Sequence, residues 1–440
     1  MSKIITPNNP LYNEARQIWN RSIQKYPNLI FYCNDFDDVS KAVCLARKCN
    51  LNIRIRSGGH NYEGYSIANN SLIIDISKLN KMDISYKDNT VTVEGGVNNG
   101  QLYNFIGSKG YPFPGGACPA VGLSGYTLGG GWGYSCRYLG LGCDSLLELK
   151  LINYKGNLIT ANKNINSSLF WACRGAGGGN FGVIVSMKYK LPKPVNKVTL
   201  FEIYYSNVSK SEQIKYLNTW QYWITNLDDR LTMNSGLYNT LSDGLYIYGR
   251  GIFYGPPEDL NKLLDPFKSF GNPIINYEYI PFLDAINKIG STYPPYELFK
   301  SSGRFVNRYF SNNELNNLAN IINEDRPSGS ILTSINLYAL GGKVSKINKE
   351  STAFYYRDSR YILSLQSIWE DNIFKPENVK WMSKNFEYIY NITNGSYINF
   401  PFYPLKNYLS DYYGKNSSYL KVVKELYDPL NIFNFQQSIK

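Results

Sequence analysis

The sequence predicts an α+β fold made of a glycine-rich first part and a second part with an antiparallel sheet flanked by helices. From about Ile30 to Pro194, short helical stripes alternate with short strands and glycine clusters. Beyond Pro192–Pro194, glycines become sparse and amphipathic helices alternate with tyrosine-rich strands. The composition changes once more near Tyr397. We therefore predict three segments, at residues 1–194, 195–395 and 396–440.

Individual elements follow from hydrophobic periodicity and from turn residues. Apolar residues from Asp37 to Arg47 recur at helical spacing, and the alternating residues Asn52–Arg56 predict a strand. In the rest of the chain, we predict helices at Asn98–Gly107, Ser211–Trp223, Glu258–Phe270 and Ser417–Leu426, and strands at Leu72–Asp75, Thr90–Glu94, Leu146–Asn153, Gly182–Leu191, Leu245–Phe253, Ile331–Leu340 and Ala353–Trp369.

Composition narrows the class of protein. The net charge is +12, but the lysines are scattered without a dense run, so we expect a solvated surface and no nucleic-acid partner. Apolar runs are short and the N-terminus has no apolar signal core, so we expect a cytoplasmic protein without a membrane span. The 7 cysteines include no CxxC pair, which predicts free thiols and no metal site.

The chain has a single histidine, His60, within Arg56–Tyr62. Zinc or iron sites built from several imidazoles are therefore excluded, and any serine or cysteine triad would have to use His60. A lone histidine is often a buried structural residue. The glycine pair before His60 and the later Cys118 favour a site at a closely approached ligand, although a Cys118–His60 hydrolase remains an alternative.

Glycine clusters are the strongest physical signal, at Gly115–Gly125, Leu128–Gly133 and Arg174–Gly182. Such segments let backbone N–H groups converge on phosphate or carbonyl oxygens. None of them matches a P-loop, and the Rossmann spacing is imperfect. The alternative is that these glycines only form turns.

Further motifs occur near the C-terminal end, at Tyr397–Asn399, Tyr427–Phe433 and Gln437–Ile439. Together with the His60 segment and the glycine clusters, they resemble the motifs of berberine-bridge-enzyme-like FAD-linked oxidases, which have the vanillyl-alcohol oxidase / p-cresol methylhydroxylase fold. The resemblance extends from Thr6 to Ile439. It implies a two-part FAD-binding domain, residues 1–194 with the returning segment 396–440, around a substrate domain at 195–395. The motifs that carry it are Arg56–His60, Gly116–Gly122, Leu128–Gly133, Gly179–Gly182, Tyr397–Asn399, Tyr427–Phe433 and Gln437–Ile439.

The resemblance implies an FAD held covalently at two points, His60 on the flavin 8α-methyl and Cys118 on flavin C6. Imidazole and thiolate are both suitable nucleophiles for an electrophilic ring. Without the resemblance, Cys118 could be a small buried hydrophobe. The other residues expected to bind the cofactor are Arg56, Ser57, Gly58, Gly59, Asn61, Val121, Gly122, Ser124, Gly125, Gly129, Gly130, Gly182, Val183 and Asn399.

The chain departs from the family pattern at the catalytic base. Many members carry Tyr-x-Asn-Tyr and use the second tyrosine, whereas this chain has Phe400 there, which cannot accept a proton. The replacement candidates are Tyr62, then Tyr397 and Glu63. An unperturbed tyrosine has a pKa near ~10, so Tyr62 would need a cationic neighbour or the flavin to act at neutral pH. Tyr62 could instead be a packing residue.

Substrate contacts are expected on the tyrosine-rich sheet. Asn336 and Tyr338 share a strand face with Ser334, and Gln366 could join them, as could Tyr356–Arg357. We also expect Phe400 to contact the substrate. Val121 occupies the position at which the family controls oxygen access, and a valine there resembles members that react with O2.

We therefore predict an oxidase that removes a hydride from a carbon bearing a hydroxyl or amine, or closes a ring, on a secondary metabolite or saccharide. The electrons would pass to O2 through FAD, and the protein would be a monomer or homodimer. The alternative is a flavin-bearing resistance protein that sequesters a small aromatic compound without turnover.

Overall fold

The computed structural model describes residues 3–440. The first half contains strands β1 (Lys3–Ile5), β2 (Leu29–Tyr32), β3 (Asn52–Arg56), β4 (Ser71–Asp75), β5 (Met82–Ser85), β6 (Thr90–Glu94), β7 (Leu146–Ile152), β8 (Leu158–Asn162) and β9 (Val183–Lys190), and helices α1 (Tyr12–Ala15), α2 (Phe36–Lys48), α3 (Asn99–Gly107), α4 (Leu123–Leu128), α5 (Cys136–Leu139) and α6 (Ser167–Ala172). The second half contains strands β10 (Val198–Tyr205), β11 (Leu231–Thr240), β12 (Gly244–Phe253), β13 (Ile274–Ile280), β14 (Phe299–Ser301), β15 (Arg304–Val306), β16 (Ser330–Ala339), β17 (Tyr361–Trp369) and β18 (Asn394–Ser396), and helices α7 (Lys210–Trp223), α8 (Pro257–Leu263), α9 (Asp265–Lys268), α10 (Phe282–Gly290), α11 (Asn312–Asn323), α12 (Lys375–Ile392), α13 (Tyr408–Tyr413) and α14 (Ser417–Tyr427).

Three sheets organise the chain. A 4-stranded sheet in the order β1-β2-β4-β3 pairs β2, β4 and β3 in parallel, and a 5-stranded antiparallel sheet has the order β5-β6-β9-β7-β8. A 9-stranded antiparallel sheet runs β13-β10-β12-β11-β16-β17-β15-β18, with β14 also on β17. The predicted α+β class is therefore confirmed. The boundaries at 194 and 395 stay predictions, although the large sheet begins with Val198 and ends with Ser396.

Several elements form where local chemistry predicts them. The strand at Asn52–Arg56 has the predicted bounds. Helices α7 and α11 begin with capping boxes, in which a serine and a glutamate three residues later exchange side-chain and backbone hydrogen bonds. The helix predicted at Glu258–Phe270 is instead divided into α8 and α9, because Pro266 has no N–H to continue the ladder.

The last segment is held to the large sheet by buried charge. Arg304 at the start of β15 donates to Asp411 at 2.9 Å and to Ser396 at 2.9 Å, and all three are buried. Lys424 and Asp428 form a second buried ion pair at 2.6 Å. Unpaired charges at such depth would be costly, so the Arg304–Asp411 pair fixes where the segment packs on the sheet, whereas the Lys424–Asp428 pair stabilises the segment internally. Across residues 3–440, no helix is long and apolar enough to cross a membrane.

Candidate functional site

A cavity of about 670 Å³ is lined by residues of all three sheets. Ile53, Arg54 and Ile55 come from β3, Ile184 from β9, and the remaining strand residues from β10, β11, β12, β14, β16 and β17 of the large sheet. The loop before Gly122, the first turns of helix α4 after it and Gly177–Gly179 also contribute to the wall. The volume is within the range of small-molecule sites.

The loop of His60 and the loop of Cys118 are brought side by side by two glycines. A Cβ on Gly58 would lie 2.3 Å from the backbone nitrogen of Gly122, so the two chains touch without side chains between them. Both His60 and Cys118 then line the cavity. Within residues 3–440 no hydrogen bond joins the two side chains, which gives no support to the hydrolase alternative.

His60 is held as a neutral imidazole. Burial lowers its pKa to about 4, and its ring stacks on Trp19 with centroids 5.1 Å apart. The Trp19 Nε1 donates to the carbonyl of Pro294 at 3.1 Å, which fixes the indole. A neutral imidazole keeps a lone pair on one ring nitrogen, so His60 has nucleophilic character at neutral pH.

The surroundings of Cys118 shift the pKa of its thiol in both directions. Burial raises the pKa of its thiol, the backbone N–H groups of Ala120 and Val121 lower it by donating to the sulfur, and the carboxyl group of Glu297 raises it again. The thiol is partly exposed to the cavity. The two N–H donors are therefore placed to stabilise a thiolate once the proton is removed.

The glycine-lined part of the cavity fits FAD. A Cβ added to Gly125 would meet no atom within 4 Å, so this backbone faces open space. The hydroxyls of Tyr65 and Ser66 and the Nε of Arg54 are buried at the cavity without a hydrogen-bond partner among the described residues. Hydroxyl donors, a guanidinium and bare backbone suit a pyrophosphate.

The structure brings most of the predicted cofactor residues to this cavity, but not all. Besides His60 and Cys118, those that line it are Ser57, Gly58, Gly59, Asn61, Val121, Gly122, Ser124, Gly125, Gly182 and Asn399.

Four predicted cofactor residues do not line the cavity. The side chain of Arg56 is turned away into a buried ion pair with Asp75 at 2.5 Å. Gly129 and Gly130 are required for packing, because a Cβ there would lie 2.0 Å from the Asn399 side chain and 2.7 Å from the Phe354 ring, respectively. Val183 is fully buried in the core.

Tyr397 is the most heavily bonded of the three predicted bases. Its phenol oxygen accepts from the backbone N–H groups of Gly131 at 3.1 Å and Trp132 at 2.9 Å, and from Asn399 Nδ2 at 3.1 Å. Burial raises its pKa, and the three donors oppose that effect. Because Asn399 Nδ2 also donates to the Tyr126 carbonyl at 2.8 Å, the amide orientation is determined. Tyr397 thus anchors the turn that carries Asn399.

Tyr62 and Glu63 are adjacent in sequence, but only Tyr62 lines the cavity. The Tyr62 ring lines the cavity, stacks on Phe400 at 5.2 Å and meets Phe299 edge-on at 4.8 Å, and its hydroxyl has no partner among the described residues. Burial raises the Tyr62 pKa, and the nearby acids raise it further. Glu63 does not line the cavity, because it is ion-paired with Lys300 and accepts the backbone N–H of Tyr403 at 2.9 Å. The structure does not support Glu63 as a base.

The predicted substrate residues lie on the large-sheet side of the cavity. Asn336, Tyr338, Gln366 and Phe400 line it, as does Ser334. Asn336 accepts from the Tyr238 hydroxyl at 2.7 Å and donates to Ser334 at 2.8 Å, so its polar atoms are satisfied within the wall.

The strand predicted at Ala353–Trp369 begins only at Tyr361. Tyr356 and Arg357 precede it and do not line the cavity, because Arg357 pairs with buried Asp144 and Tyr356 donates to the Asp411 carbonyl.

Sequence reasoning missed a polar patch on β10, β11 and β12. Arg250 and Asn234 are cross-strand partners, and both line the cavity. The Nε of Arg250 and the Oδ1 of Asn234 are buried without partners among the described residues. Glu202 accepts the Tyr248 hydroxyl at 2.5 Å and lies 3.9 Å from Arg250. The alternation of Tyr246, Tyr248 and Arg250 was a signal that could have revealed one face of this patch.

Comparison with known proteins identifies the family. Residues 27–162 match the family model described as an FAD binding domain, and residues 396–440 match the model for berberine and berberine-like proteins.

Three similar proteins cover almost all of the chain. An uncharacterized FAD-linked oxidoreductase of Bacillus subtilis, YgaK, is 35% identical over 99% of this chain and 96% of its own length. The solved structure of Physcomitrella patens BBE-like 1 matches with a TM-score of 0.91 at 26% identity, over 100% of this chain and 97% of that one. Glucooligosaccharide oxidase from Acremonium strictum has the same fold, with a TM-score of 0.91 at 20% identity over 100% and 97% of the two chains. The chain therefore belongs to the berberine-bridge-enzyme-like FAD-linked oxidoreductases of the p-cresol methylhydroxylase fold.

Proposed function

We propose that this oxidoreductase is an oxidase whose FAD is attached through His60 and Cys118, and that it oxidises a hydroxyl-bearing carbon of a small polyhydroxylated molecule. The single observation that carries the proposal is the contact of Gly58 with Gly122, which sets both nucleophiles in one cavity. When bound, the flavin supplies a hydride acceptor and a route for electrons to O2.

The electrostatics of the two residues support their role as attachment points. His60 has an available lone pair because burial lowers its pKa to about 4. Cys118 needs to lose a proton, and the N–H groups of Ala120 and Val121 would hold the resulting thiolate. The glucooligosaccharide oxidase of Acremonium strictum is described as carrying a 6-S-cysteinyl, 8α-N1-histidyl FAD. We extend that pattern to this chain as part of the proposal.

The walls of the cavity support a hydroxylated substrate. A buried donor on Arg250 and a buried acceptor on Asn234 are without protein partners among residues 3–440. A substrate hydroxyl accepts from the first and donates to the second, which removes the cost of two unsatisfied groups. Tyr338 and Phe400, with ring centroids 5.2 Å apart, offer apolar faces for a ring or sugar. Val121 lines the same cavity, and as part of the proposal its small side chain would leave space for O2 to approach.

Attachment is tested by the mass of the intact, acid-denatured protein. We expect an FAD-sized increment in the wild type and in each of His60→Ala and Cys118→Ala, and none in the double variant. Cys44→Ala, which removes an exposed thiol, is the control and retains the increment. A wild type without the increment contradicts covalent attachment.

Oxidase activity is tested by anaerobic bleaching of the flavin with a panel of saccharides, aromatic alcohols and amines, followed by reoxidation in air with peroxide detection. We expect bleaching by a hydroxylated member of the panel and stoichiometric peroxide on reoxidation. If the flavin stays oxidised with every member of the panel, the alternative of a flavin-bearing sequestering protein is favoured instead.

A further inference from the structure

Glu297 is a cavity carboxyl group whose backbone is firmly placed. It lies just before β14, and its N–H donates to the carbonyl of Trp19 at 3.2 Å. Its own carbonyl accepts from the N–H of Arg21 at 2.8 Å. Because Trp19 also stacks on His60, these bonds connect Glu297 to the loop proposed to hold the flavin. Glu297 is one of the residues that line the cavity.

The carboxyl group of Glu297 has no neutralising partner. Within residues 3–440, no hydrogen bond or ion pair involves its side-chain oxygens. The other nearby carboxylates are committed, since Glu63 pairs with Lys300, and Glu202 accepts from Tyr248. Burial raises the pKa of Glu297 to about 7, so it changes protonation state near neutrality. This range suits a general base.

The negative charge of Glu297 raises the pKa values of two titratable groups, Tyr62 and Cys118. The guanidinium of Arg21, which belongs to the segment bonded to Glu297, instead packs over the ring of Tyr296 at 5.3 Å. Glu297 is therefore close enough to Tyr62 and Cys118 to act on both electrostatically, and no cation among the described residues forms an ion pair with it.

The other candidate bases are less suitable. Phe400 has no proton-accepting atom. Tyr397 already accepts three N–H donors. Burial raises the pKa of Tyr62 above its ordinary value, and Glu297 raises it further, so a Tyr62 phenolate is disfavoured at neutral pH. A neutral Tyr62 hydroxyl is still free to orient a substrate hydroxyl.

We propose that Glu297 is the catalytic base that takes the proton from the hydroxyl of the substrate. This inference rests on the proposed oxidase function. As the substrate O–H bond breaks, its proton moves to the Glu297 carboxylate, and the oxygen electron pair forms a carbonyl with the carbon. The hydride of the broken C–H bond would pass with its two electrons to the bound FAD, the oxidant of the proposed function, and Glu297 would then return its proton to solvent.

The first test is an infrared titration of the flavin-loaded protein, which needs no substrate. We expect a protonated-carboxyl C=O band that titrates with a midpoint near pH 7 and is absent from Glu297→Gln. Glu202→Gln, which removes another carboxylate of the same cavity, retains the band. If Glu297→Gln leaves the titrating band in place, or if the wild type has no such band, the proposal is overturned.

The second test is the rate of anaerobic flavin reduction between pH 5 and pH 9 with cellobiose and with coniferyl alcohol as probes. Loss of a general base lowers the rate by about 10²–10⁴-fold, and we expect this for Glu297→Gln together with loss of the acid limb near pH 7. For Glu202→Gln and for Tyr62→Phe we expect the acid limb to persist.

A rate for Glu297→Gln within about threefold of the wild type, with the limb retained, contradicts the proposal, as does loss of that limb in Tyr62→Phe alone. A wild-type flavin that neither probe reduces counts against the proposed oxidase function, and the infrared titration then decides the assignment of Glu297.

Discussion

Replacing Glu297 by glutamine tests the electrostatics of the cavity through stability. The carboxyl group has a pKa of about 7 when folded, raised by burial from 4.5. The folded state therefore binds this proton more tightly than the unfolded state, and the wild type loses stability as the pH rises from 4.5 to 7. Glutamine has the same shape and does not titrate, so the variant avoids this loss.

The rise in the pKa of Glu297 from 4.5 to about 7 corresponds to about 3.4 kcal/mol of unfolding free energy, at about 1.36 kcal/mol for each pKa unit. The variant should be more stable than the wild type by about 0.8 kcal/mol at pH 5 and about 3.3 kcal/mol at pH 8. With an unfolding entropy of about 2.1 cal/mol/K per residue over the chain, these values correspond to gains in Tm of about 1 °C and about 3–4 °C.

The assay is thermal unfolding of the flavin-loaded proteins by circular dichroism at pH 5, 6, 7 and 8. Glu278→Gln is a matched control, because Glu278 is exposed on the edge strand β13 and bonded to Lys288. We expect its Tm to follow that of the wild type at every pH. A constant difference between Glu297→Gln and the wild type across this range would refute the account of a buried, unpaired carboxyl group.

Three further substitutions test other parts of the structure. Gly125→Val places a branched side chain in the open space of the cavity, so flavin content measured by absorbance should fall at least about tenfold, a loss that needs only about 1.4 kcal/mol of binding. Asp411→Asn leaves the Arg304 guanidinium without its buried counter-charge, which should cost about 3–5 kcal/mol in denaturant unfolding. Tyr397→Phe removes the hydroxyl oxygen that accepts two backbone N–H groups and one N–H of Asn399, and should lower the free energy of unfolding by at least about 2 kcal/mol in the same measurement. Flavin content at the wild-type level in the first variant, or unchanged unfolding midpoints in the other two, would contradict these assignments.

Hydrophobic periodicity correctly predicted those helices and strands that depend on the order of apolar and polar residues within the element itself. The strand Asn52–Arg56 alternates apolar and polar residues, and helix α2 has an apolar stripe facing the core. His60 and Cys118 were assigned to one cofactor site through the resemblance of their glycine-rich motifs to the family, because local periodicity does not show that the two loops meet.

The sequence did not predict features that depend on contacts between residues far apart in the chain. Tyr356 and Arg357 look like strand residues, but their contacts with Asp411 and Asp144 hold them in an irregular segment. Glu63 follows Tyr62 in sequence, yet its ion pair with Lys300 takes it away from the cavity. Glu297 follows a pair of prolines in a loop without periodicity, so only the fold reveals that it lines the same cavity as Tyr62.

The cavity has a consequence for how the protein matures. Its wall includes Trp19 near the start of the chain and Asn434 and Phe435 near the end. During translation, the first glycine loops leave the ribosome long before the residues that close the cavity over them. We therefore expect the cofactor to be enclosed only after Phe435 has emerged.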